Sequence, residues 1–497
     1  MADRVRKPAM TGQPLILAID EGTTSTRAVA FDLSGRIVAS ESAPLTQSYP
    51  QPGWVEHDAA EIWARTAACI RTVADRVGAA NIAAIGITNQ RETVVFWDRT
   101  TGEPLAPAIV WQDRRTAATC DAMKAAGAEP EVQAKTGLLL DPYFSATKIG
   151  WALANWPEVA AAATKGSLGL GTVDSYLLFR LTGAHVTDAT NASRTLLMDL
   201  ATCRWDDALL ARFCVPRAAL PDIVDCAGLL GETSILGRSI PVTGCAGDQQ
   251  AASIGQGCLT PGLVKSTYGT GAFVMATAAG LPRSANRLLS TVAWRLGDQA
   301  TYALEGSIFT AGAAVQWLRD GLGMVASASD TEAMARSVAD AGGVHFVPAL
   351  SGLGAPYWDA AARGTIAGLT AGTTRAHLVR ATLEAMGHQT ADLFDAFAAD
   401  GVAPTRLRVD GGMVANDWLC QDLADMLAMS VERPRVIETT ALGAAMLAGV
   451  GAGLFSSLED AQSMWHADRV FEPAISADQR ASRRAGWARA MRQTLAA

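Results

Sequence analysis

Short apolar runs alternate with segments of helical periodicity along the whole chain. The first 40 residues contain LILAID, AVAFD and IVAS, and these are followed by DAAEIWARTAACIRTVADRV, NIAAIGIT and TVVFWD. Short runs rich in β-branched side chains are typical of buried strands, whereas apolar positions three and four residues apart are typical of amphipathic helices. The repeated alternation predicts an α/β protein in which helices cover the sheets.

The second half of the chain begins with an arrangement like that of the first half. Residues 15–32 have the order strand, turn of glycine and hydroxyl residues, strand, and GLVKSTYGTGAFVMAT at 262–277 has the same order. The similarity is too weak for a strict repeat. It predicts two related halves, whose Gly/Thr hairpins would face a shared cleft if the halves are pseudo-symmetric.

Three later segments carry further structural predictions. The stretch LRVDGGMVANDWLCQDLADML at 407–427 predicts a strand that passes through a glycine turn directly into a helix, where free backbone N–H groups can hold an anion. The Ala/Gly-rich run at 441–455 is shorter than the roughly 20 residues that cross a bilayer, so we interpret it as a helix packed closely on a sheet. The basic C-terminal stretch predicts a surface helix, because the chain as a whole is acidic.

Composition and charge narrow the class of protein. A chain of 497 residues is too long for one core, so we expect two large domains, or one domain with a sizeable insertion. Hydrophobic residues make up 49% and charged residues 18%, a balance that indicates well-buried globular cores. The net charge of -8 provides no attraction to nucleic acid or to an acidic membrane, and neither is expected as a partner.

The cysteines indicate a reducing compartment. All eight are scattered singly and form no CxxC pair, which suits neither a disulfide framework nor a zinc ribbon. The basic residues Arg4, Arg6 and Lys7 are followed by an apolar stretch that is too short for a secretory signal. A cytoplasmic location is therefore predicted.

Two hairpin turns are candidate phosphate-binding segments. Backbone N–H groups of tight glycine turns, helped by hydroxyl groups, can hold phosphates without a Walker lysine. The segments GTTST at 22–26 and YGTGA at 268–272 have this composition, and neither matches the P-loop or the Rossmann fingerprint. Each turn alone could be an ordinary hairpin, but the two together with the DGG turn favour a nucleotide site.

Two acids stand at chemically significant places. Asp20 ends the first strand, where it could cap the turn or hold a hydrated Mg²⁺ near the β- and γ-phosphates, since a hard cation favours carboxylate oxygens. Asp248 follows small residues in TGCAGDQQAAS and precedes a helical pattern. It could cap that helix, or it could accept the proton of an attacking hydroxyl group.

These motifs, taken in order, give the chain a resemblance to a known family. It resembles the glycerol-phosphorylating members of the FGGY carbohydrate kinases, which are actin-like, hexokinase-type ATPases. The resemblance runs nearly end to end, through LAIDEGTTSTRAVAFD, ITNQRETVVFWD, PAIVWQDRRT, DPYFSATK, GTVDSYLLFRLTG, TDATNASRTLLMD, AGDQQAASIGQG, STYGTGAFV, YALEGSIFTAGAAVQWLRD and DGGMVANDW.

The resemblance implies a fold and an activity. The fold would be α/β, with two ribonuclease H-like (actin-like ATPase) domains and a central ligand cleft. Residues 1–257 would hold the polyol, the first phosphate hairpin and the catalytic base, and residues 258–497 the second hairpin and the adenosine. The activity would be Mg²⁺-dependent transfer of the γ-phosphoryl group of ATP to a terminal hydroxyl of glycerol, which gives sn-glycerol 3-phosphate and ADP. By analogy the protein would be a homo-oligomer, a dimer or a tetramer.

The resemblance also implies a role for particular residues. Asp248 would be the general base, and Asp20 and Asp248 would flank Mg²⁺. The residues that would bind the acceptor are Arg91, Glu92, Tyr143, Asp248 and Gln249, with Trp111 and Phe273 as apolar walls. The residues that would bind the phosphates are Thr23, Thr24, Ser25, Gly269 and Thr270, and those beside adenosine are Gly312, Gln316, Gly412 and Asn416.

The chain departs from the family pattern in its first turn and in a regulatory segment. Many relatives have glutamine where Glu21 stands; we expect this change to be tolerated, but an extra acid near the phosphates could alter the metal dependence. The segment before Asp248 lacks the Gly-Gly-Thr-Arg sequence by which some relatives bind a sugar bisphosphate inhibitor, and residues 205–248 contain no histidine for activation by phosphorylation. We therefore expect neither mode of regulation.

Two alternative functions stay open. A pentulose or gluconate kinase of the same family is the nearest, although the NQRE and DPYF segments favour glycerol. The other is a non-catalytic actin-like ATPase that acts on protein partners. Such a protein needs no polyol pocket, so the residues assigned to the acceptor would have no common function. On the residues alone, an isolated Arg91–Glu92 pair could equally be a solvated surface pair.

Overall fold

The computed structural model describes residues 12–496, so Arg4, Arg6 and Lys7 lie outside the described residues. The chain forms two compact units. Unit 1 comprises the described residues up to Leu259 together with Ser290–Tyr302 and Glu438–Trp465. Unit 2 comprises Thr260–Leu289, Ala303–Ile437 and the described residues from His466 onward. The predicted division of ligand roles between residues 1–257 and 258–497 stays a prediction.

The first 259 residues supply most elements of unit 1. The strands are β1 (Leu15–Glu21), β2 (Ser25–Asp32), β3 (Ile37–Pro44), β4 (Gln47–Ser48), β5 (Glu56–His57), β6 (Ile82–Asn89), β7 (Val94–Asp98), β8 (Ala108–Ile109), β9 (Leu168–Thr172), β10 (Val186–Asp188), β11 (Met198–Asp199), β12 (Arg204–Trp205), β13 (Asp222–Val224), β14 (Ala227–Thr233) and β15 (Ile240–Gly247). The helices are α1 (Ala59–Val77), α2 (Ala117–Ala125), α3 (Glu129–Thr136), α4 (Ser145–Asn155), α5 (Pro157–Lys165), α6 (Val173–Thr182), α7 (Ala189–Ala192), α8 (Asp207–Arg212) and α9 (Asp248–Gly255).

The later elements belong mainly to unit 2, except that β18, the start of β19, α14 and α15 belong to unit 1. The strands are β16 (Leu263–Tyr268), β17 (Ala272–Thr277), β18 (Leu289–Leu296), β19 (Gln299–Ile308), β20 (His345–Val347), β21 (Thr365–Ala367), β22 (Arg406–Asp410), β23 (Val431–Pro434) and β24 (Ala467–Phe471). The helices are α10 (Gly312–Gln316), α11 (Asp330–Arg336), α12 (Arg375–Ala399), α13 (Asp417–Leu427), α14 (Thr439–Gly451), α15 (Leu458–Ala461) and α16 (Ala477–Leu495).

The main sheet of unit 1 has the strand order β14-β15-β6-β1-β2-β3. Strands β1 and β2 form an antiparallel hairpin, while β1 and β15 both run parallel to β6. Apolar side chains of β1, such as Leu17 and Ile19, share a buried cluster with Ile62 and Ile70 of α1. The apolar runs near the N-terminus thus form strands because this cluster removes their side chains from water.

Helix α14 lies directly on this sheet, where glycines allow its backbone to approach. A Cβ atom at Gly86 would lie 2.2 Å from the carbonyl oxygen of Ala444, and one at Gly244 would lie 2.4 Å from the backbone nitrogen of Ala448. Only glycine fits such a close approach. The prediction of a helix packed closely on a sheet is confirmed. Among residues 12–496, none of the helices is both long and apolar enough to span a bilayer.

A second sheet of unit 1, in the order β4-β5-β8-β7-β9, lies near the segments that matter for the acceptor. The NQRE segment connects β6 to β7, Trp111 follows β8, and Tyr143 precedes α4. These three connections carry polar residues at the ends of well-ordered strands and helices, which is where proteins commonly place functional residues.

The sheet of unit 2 repeats the strand order of unit 1. In unit 2, β19, β17, β16, β22 and β23 are neighbours, and the pairings are antiparallel, antiparallel, parallel and parallel. In unit 1, β3, β2, β1, β6 and β15 follow one another with the same sequence of pairings. The two halves that the hairpin motifs predict are therefore present as two sheets of the same topology.

The third glycine turn differs in detail from its prediction. A 3₁₀ turn over residues 412–415 separates β22 from α13, so the strand does not lead directly into the helix. Gly411 has φ +91°, and a Cβ atom there would lie 2.5 Å from the carbonyl oxygen of Tyr268. Asn416 caps α13 by accepting a hydrogen bond from the N–H of Leu419 at 3.0 Å. The predicted helices at 417–427 and at the C-terminus are confirmed.

Candidate active site

Arg91 and Asp248 come together because they follow two neighbouring parallel strands. Gly247 at the end of β15 pairs with Asn89 at the end of β6, so the residues after them lie at the same edge of the sheet. The Nε atom of Arg91 lies 3.2 Å from Oδ1 of Asp248. A Cβ atom at Gly247 would lie 2.7 Å from Cγ of Arg91, so this glycine makes room for the arginine side chain.

Glu92 is a buried acid in a strained backbone conformation. Its φ of +64° lies in the left-handed region, which non-glycine residues seldom adopt. The Nε–H of Arg194 donates to Oε1 of Glu92 at 2.7 Å, and Nε of Arg91 lies 3.8 Å from the same oxygen. Two guanidinium groups therefore balance the buried carboxylate of Glu92 and the partly exposed carboxylate of Asp248, as charge in a largely buried group requires.

Two aromatic residues stand beside this charged group. Nη2 of Arg91 donates to the hydroxyl oxygen of Tyr143 at 3.4 Å. The rings of Trp111 and Tyr143 meet edge to face, with centroids 5.6 Å apart and planes at 77°. The indole N–H of Trp111 donates to Oγ1 of Thr23 at 2.9 Å. The aromatic pair thus connects the charged residues to the first Gly/Thr hairpin.

Asp248 is the accessible member of the group. Its side chain is 31% exposed, whereas the side chains of Arg91 and Glu92 are 2% and 1% exposed. Its Oδ1 also accepts from the backbone N–H of Gln249 at 2.7 Å, which orients the carboxylate at the start of α9. A partly exposed carboxylate held by a buried guanidinium can accept a proton from a bound hydroxyl group.

Asp20 is a second acid at this edge of the sheet. Burial raises the pKa of Asp20 to about 7, with the positive charge of Arg27 opposing the shift and the negative charges of Asp248 and Glu438 adding to it. Carboxylate oxygens are the ligands that Mg²⁺ prefers, and a cation beside Asp20 and Asp248 would relieve the repulsion that raises this pKa. The donor set of these two residues therefore fits Mg²⁺.

The first hairpin turn joins β1 to β2. The N–H of Gly22 donates to the carbonyl oxygen of Ser25 at 3.0 Å, which closes the turn. Thr24 is exposed, and Thr23 and Ser25 are half-buried. The hydroxyl-bearing turn therefore presents polar groups at the same strand end that carries Asp20.

Unit 2 contains a cavity of about 410 Å³ beside the second hairpin. Six residues predicted to bind phosphate or adenosine line it: Gly269, Thr270, Gly312, Gln316, Gly412 and Asn416. Apolar side chains, among them Val315, Met413 and Leu419, complete part of its wall. A cavity of this size, lined by apolar side chains and a few polar groups, is typical of a small-molecule site.

Backbone contacts lock the two glycine turns of this cavity together. The N–H of Gly312 donates to the carbonyl oxygen of Gly269 at 2.9 Å, and the N–H of Ala313 donates to that of Thr270 at 3.0 Å. A Cβ atom at Gly312 would lie 2.6 Å from the Gly269 oxygen. Asn416 uses its side chain to cap α13 and donates to Oγ1 of Thr331 at 3.2 Å.

The family of the chain follows from comparison with known proteins. Residues 15–255 match the model of the FGGY family of carbohydrate kinases, N-terminal domain, and residues 264–452 match that of the C-terminal domain. The chain belongs to the FGGY family of carbohydrate kinases. The predicted family, the two-domain α/β fold and the assignment as a kinase are thereby confirmed, and ATP as the phosphoryl donor follows from the family.

Individual relatives of this FGGY kinase include glycerol kinases and a xylulose kinase. A glycerol kinase of Rhodospirillum rubrum is 57% identical over 488 residues, which cover 97% of this chain and 99% of that one. The crystal structure of Plasmodium falciparum glycerol kinase with ADP matches with a TM-score of 0.93 and 36% identity, over 97% and 98% of the chains. A ligand-bound xylulose kinase of Lactobacillus acidophilus matches with a TM-score of 0.88 and 25% identity, over 97% and 99% of the chains.

The structure brings most of the predicted residues of this FGGY kinase into two groups. Arg91, Glu92, Tyr143, Trp111, Asp248 and Gln249 lie in one group of unit 1, whereas Phe273 lies half-buried on β17 of unit 2. Sequence reasoning missed Arg194, the partner of Glu92, although TDATNASRTLLMD was among the motifs. The signal available in the sequence was Arg194 itself, a charged residue in that motif to which no residue of opposite charge had been assigned.

A further group of acids does not qualify as a metal site. Single ligand atoms of Asp174, Asp188 and Cys245 lie within 4.8 Å of one another, and all three residues are buried. Hydroxyl, amide and backbone N–H groups already donate to the four carboxylate oxygens. These hydrogen bonds occupy the carboxylate oxygens that a cation would need, and burial, together with the negative charge of Asp188, raises the pKa of Asp174 to about 7.

Proposed function

We propose that this FGGY kinase transfers the γ-phosphoryl group of ATP to a terminal hydroxyl group of glycerol, which yields sn-glycerol 3-phosphate and ADP. The observation that carries the proposal is the group of donors and acceptors around the exposed carboxylate of Asp248. The 57% identity to a glycerol kinase over nearly the whole chain supports it independently.

The acceptor residues fit a small triol. Arg91 donates, Glu92 accepts, and Tyr143 and Gln249 do either, so each hydroxyl group of glycerol finds a partner of the right kind. Trp111 and Phe273 supply apolar surface for the C–H groups. A substrate without one hydroxyl would leave a buried polar group unpaired, which penalises it strongly.

Asp248 acts as the general base. Its carboxylate takes the proton of the terminal hydroxyl as that oxygen attacks the γ-phosphorus, and the bond to the bridging oxygen of ADP breaks. Arg91, with Nε 3.2 Å from Oδ1, orients the carboxylate and supplies a positive charge beside it. Phosphoryl transfer requires little covalent chemistry from the protein, so alignment and charge stabilisation supply most of the rate.

The remaining predicted residues hold the nucleotide and the metal. Thr23, Thr24, Ser25, Gly269 and Thr270 bind the phosphates, and Gly312, Gln316, Gly412 and Asn416 bind adenosine in the cavity of unit 2. Asp20 and Asp248 would hold Mg²⁺, which when bound would neutralise negative charge on the phosphates. The cytoplasmic location and a dimeric or tetrameric state stay predictions, the latter tested by light scattering.

A coupled assay of ADP release tests the proposal. The acceptors are glycerol, dihydroxyacetone, xylulose, ribulose and gluconate, each with and without Mg²⁺. We expect glycerol to have a kcat/KM at least about tenfold above dihydroxyacetone, whose carbonyl group cannot donate the hydrogen bond of the central hydroxyl, because one lost hydrogen bond to a charged group weakens binding by about 1.5–3 kcal/mol. Xylulose, ribulose and gluconate should also be poorer acceptors, since their longer carbon chains do not fit a site that matches three hydroxyl groups. Preference for a pentulose or gluconate would contradict the proposal, as would ATP turnover that needs a protein partner and no acceptor.

A further inference from the structure

Lys148 is a fully buried lysine on α4 that the proposed chemistry does not use. Its side chain is enclosed in unit 1 with 0% exposure. The Nζ atom lies 2.9 Å from the carbonyl oxygen of Tyr143, 3.3 Å from that of Val110 and 3.5 Å from that of Glu92. A lysine ammonium group has three N–H donors and no acceptor, so its hydrogen-bonding capacity matches these three carbonyl groups.

The three carbonyl groups belong to the three segments that carry the acceptor residues. Glu92 is itself one of these residues and follows Arg91. Val110 immediately precedes Trp111, and the third carbonyl belongs to Tyr143. These segments lie between β6 and β7, after β8, and before α4, so one side chain joins connections that are distant in sequence.

The backbone of Glu92 has a particular need for such a contact. Its left-handed φ of +64° persists only where the surroundings hold it in place. Besides the contact with Lys148, the carbonyl oxygen of Glu92 accepts from Oγ of Ser145 at 3.0 Å. Two donors at the start of α4 therefore orient the peptide that places the Glu92 side chain.

Burial of a charged group at this place costs free energy, and the hydrogen bonds from Lys148 to the three carbonyl groups offset that cost. Burial lowers the pKa of Lys148 to about 7, and the positive charge of Arg115 adds to the shift. The carboxylates of Glu92, Asp113 and Asp141 oppose it. A residue that served packing alone would be apolar here, because burial of an ammonium group is costly.

We propose that Lys148 is a positioning residue for the acceptor site: its ammonium group holds three backbone segments so that Arg91, Glu92, Trp111 and Tyr143 meet the acceptor in one fixed geometry. The inference rests on the proposed function, because it assumes that these side chains bind glycerol. It assigns Lys148 no contact with the substrate.

The variant Lys148→Met tests this inference. Methionine has a similar length and apolar body but no donor, so each of the three carbonyl groups loses its hydrogen bond to Lys148. The carbonyl of Glu92 keeps its bond from Ser145, and that of Val110 keeps its bond from the N–H of Asp113. We expect the KM for glycerol to rise at least about tenfold while the KM for ATP stays within about twofold of the wild-type value. The matched control is Lys135→Met, which removes the ion pair of Lys135 with Asp206 in the same unit, 2.8 Å between Nζ and Oδ2.

Chemical rescue separates positioning from general destabilisation. In Lys148→Ala the missing atoms correspond to propylammonium, so added propylammonium is expected to lower the KM for glycerol toward the wild-type value, whereas 1-propanol is not. If Lys148→Met does not fold, Ser145→Ala replaces it, since this variant removes only the hydroxyl contact to Glu92. It is expected to raise the KM for glycerol by a smaller factor than Lys148→Met.

The outcomes distinguish this inference from the proposed function. A wild-type enzyme that does not phosphorylate glycerol overturns the proposed function and this inference with it. A wild-type enzyme that does, together with a folded Lys148→Met variant of unchanged KM for glycerol, overturns the inference alone. An equal rise in both KM values, or an unchanged KM in Ser145→Ala when Lys148→Met cannot be obtained, also overturns it.

Discussion

The proposed acceptor site in unit 1 and the proposed nucleotide cavity in unit 2 are built from different materials. The first places four charged side chains, those of Arg91, Glu92, Arg194 and Asp248, within hydrogen-bonding or ion-pair distance of one another. The residues assigned to the second are glycines, a threonine and two amides, at turns joined by backbone hydrogen bonds. Arg319 and Glu332 also line this cavity.

The difference reflects what each ligand offers. Glycerol is small and uncharged, so only convergent donors and acceptors distinguish it, and each buried charge among them needs a counter-charge. ATP is large and carries its own charge, so backbone N–H groups and close contact suffice. We therefore expect substitutions that remove polar atoms to impair the acceptor site of unit 1 most. Substitutions that add carbon atoms should impair the nucleotide cavity of unit 2 most.

The largest effect is expected from Asp248→Asn. Asparagine keeps the size of the side chain but cannot accept the proton of the attacking hydroxyl group, and Arg91 loses one of its two charged partners. We expect kcat to fall by about 10²-fold or more, with a much smaller change in the KM for glycerol. Steady-state kinetics with saturating ATP measure both values. A variant with the full wild-type rate would show that Asp248 is not the base.

The opposite kind of change tests unit 2, through the pair Gly312→Ala and Gly412→Ala. A Cβ atom at Gly312 would lie 2.6 Å from the carbonyl oxygen of Gly269, whereas nothing lies within 4 Å of one at Gly412. We expect Gly312→Ala to raise the KM for ATP about tenfold, because one of the two turns must shift. Gly412→Ala is expected to fold normally and to raise this KM by a smaller factor.

Each of these glycine variants should leave the KM for glycerol near the wild-type value. That result would separate the two sites, since the substitutions lie in unit 2 and the polar acceptor residues lie in unit 1. A rise in the KM for glycerol as large as that for ATP would contradict the separation. An unchanged KM for ATP in both variants would remove these glycines from the nucleotide site.

Unit 2 also contains a buried histidine, which gives a prediction about pH. His388 in unit 2 stacks on Trp487, with ring centroids 5.0 Å apart and planes at 6°. Burial lowers the pKa of His388 well below 6.5, and the positive charges of Arg483, His345 and Arg484 add to the shift. The folded protein therefore keeps this histidine neutral, while the unfolded chain protonates it near its ordinary pKa.

The direction in which the free energy of unfolding changes with pH follows from this difference in bound protons. At pH values below 6.5 the unfolded state binds a proton that the folded state does not, so the free energy of unfolding decreases as the pH falls. In His388→Phe the ring stacking remains and the titration is gone. We expect the melting temperature of the variant to fall less steeply than that of the wild type between pH 6.5 and pH 5. Equal slopes of melting temperature against pH in the variant and the wild type would contradict a neutral His388 in the folded protein.

Much of the fold and part of the site could be predicted from the sequence because the deciding signals are local. Apolar runs and glycine turns mark the strands and hairpins, and the similarity between residues 15–32 and 262–277 appears as two sheets of one topology. Arg91 and Asp248 could be paired as candidates only through the family resemblance. The structural reason for their contact is that β6 and β15 are parallel neighbours, which no local pattern reveals.

The features that were missed depend on contacts between distant parts of the chain. Arg194 and Glu92 are 102 residues apart, and Lys148 and Glu92 are 56 residues apart. Residues 290–302 and helix α14 belong to unit 1 although they come late in the sequence. Glycines such as Gly86 and Gly244 allow α14 to pack against the sheet. Periodicity within a segment carries no information about such partners.

The smallest effect is expected from Glu21→Gln, although the sequence suggests that an extra acid near the phosphates could alter the metal dependence. Successive residues of a strand point to opposite faces, so Glu21 faces away from the side of Asp20, and its Oε2 accepts from Oγ1 of Thr66 on α1 at 2.7 Å. Burial raises the pKa of Glu21 to about 8, with the hydroxyl groups of Thr26 and Thr66 opposing the shift and the charge of Asp20 adding to it. At neutral pH this side chain is therefore mainly an uncharged acid, for which glutamine is a close substitute.

The dependence of kcat on free Mg²⁺ should be the same in Glu21→Gln as in the wild type, whereas Asp20→Asn, measured alongside, should require far more Mg²⁺. A shift in the half-saturating Mg²⁺ concentration of Glu21→Gln by more than about twofold would mean that the charge at position 21 does reach the metal.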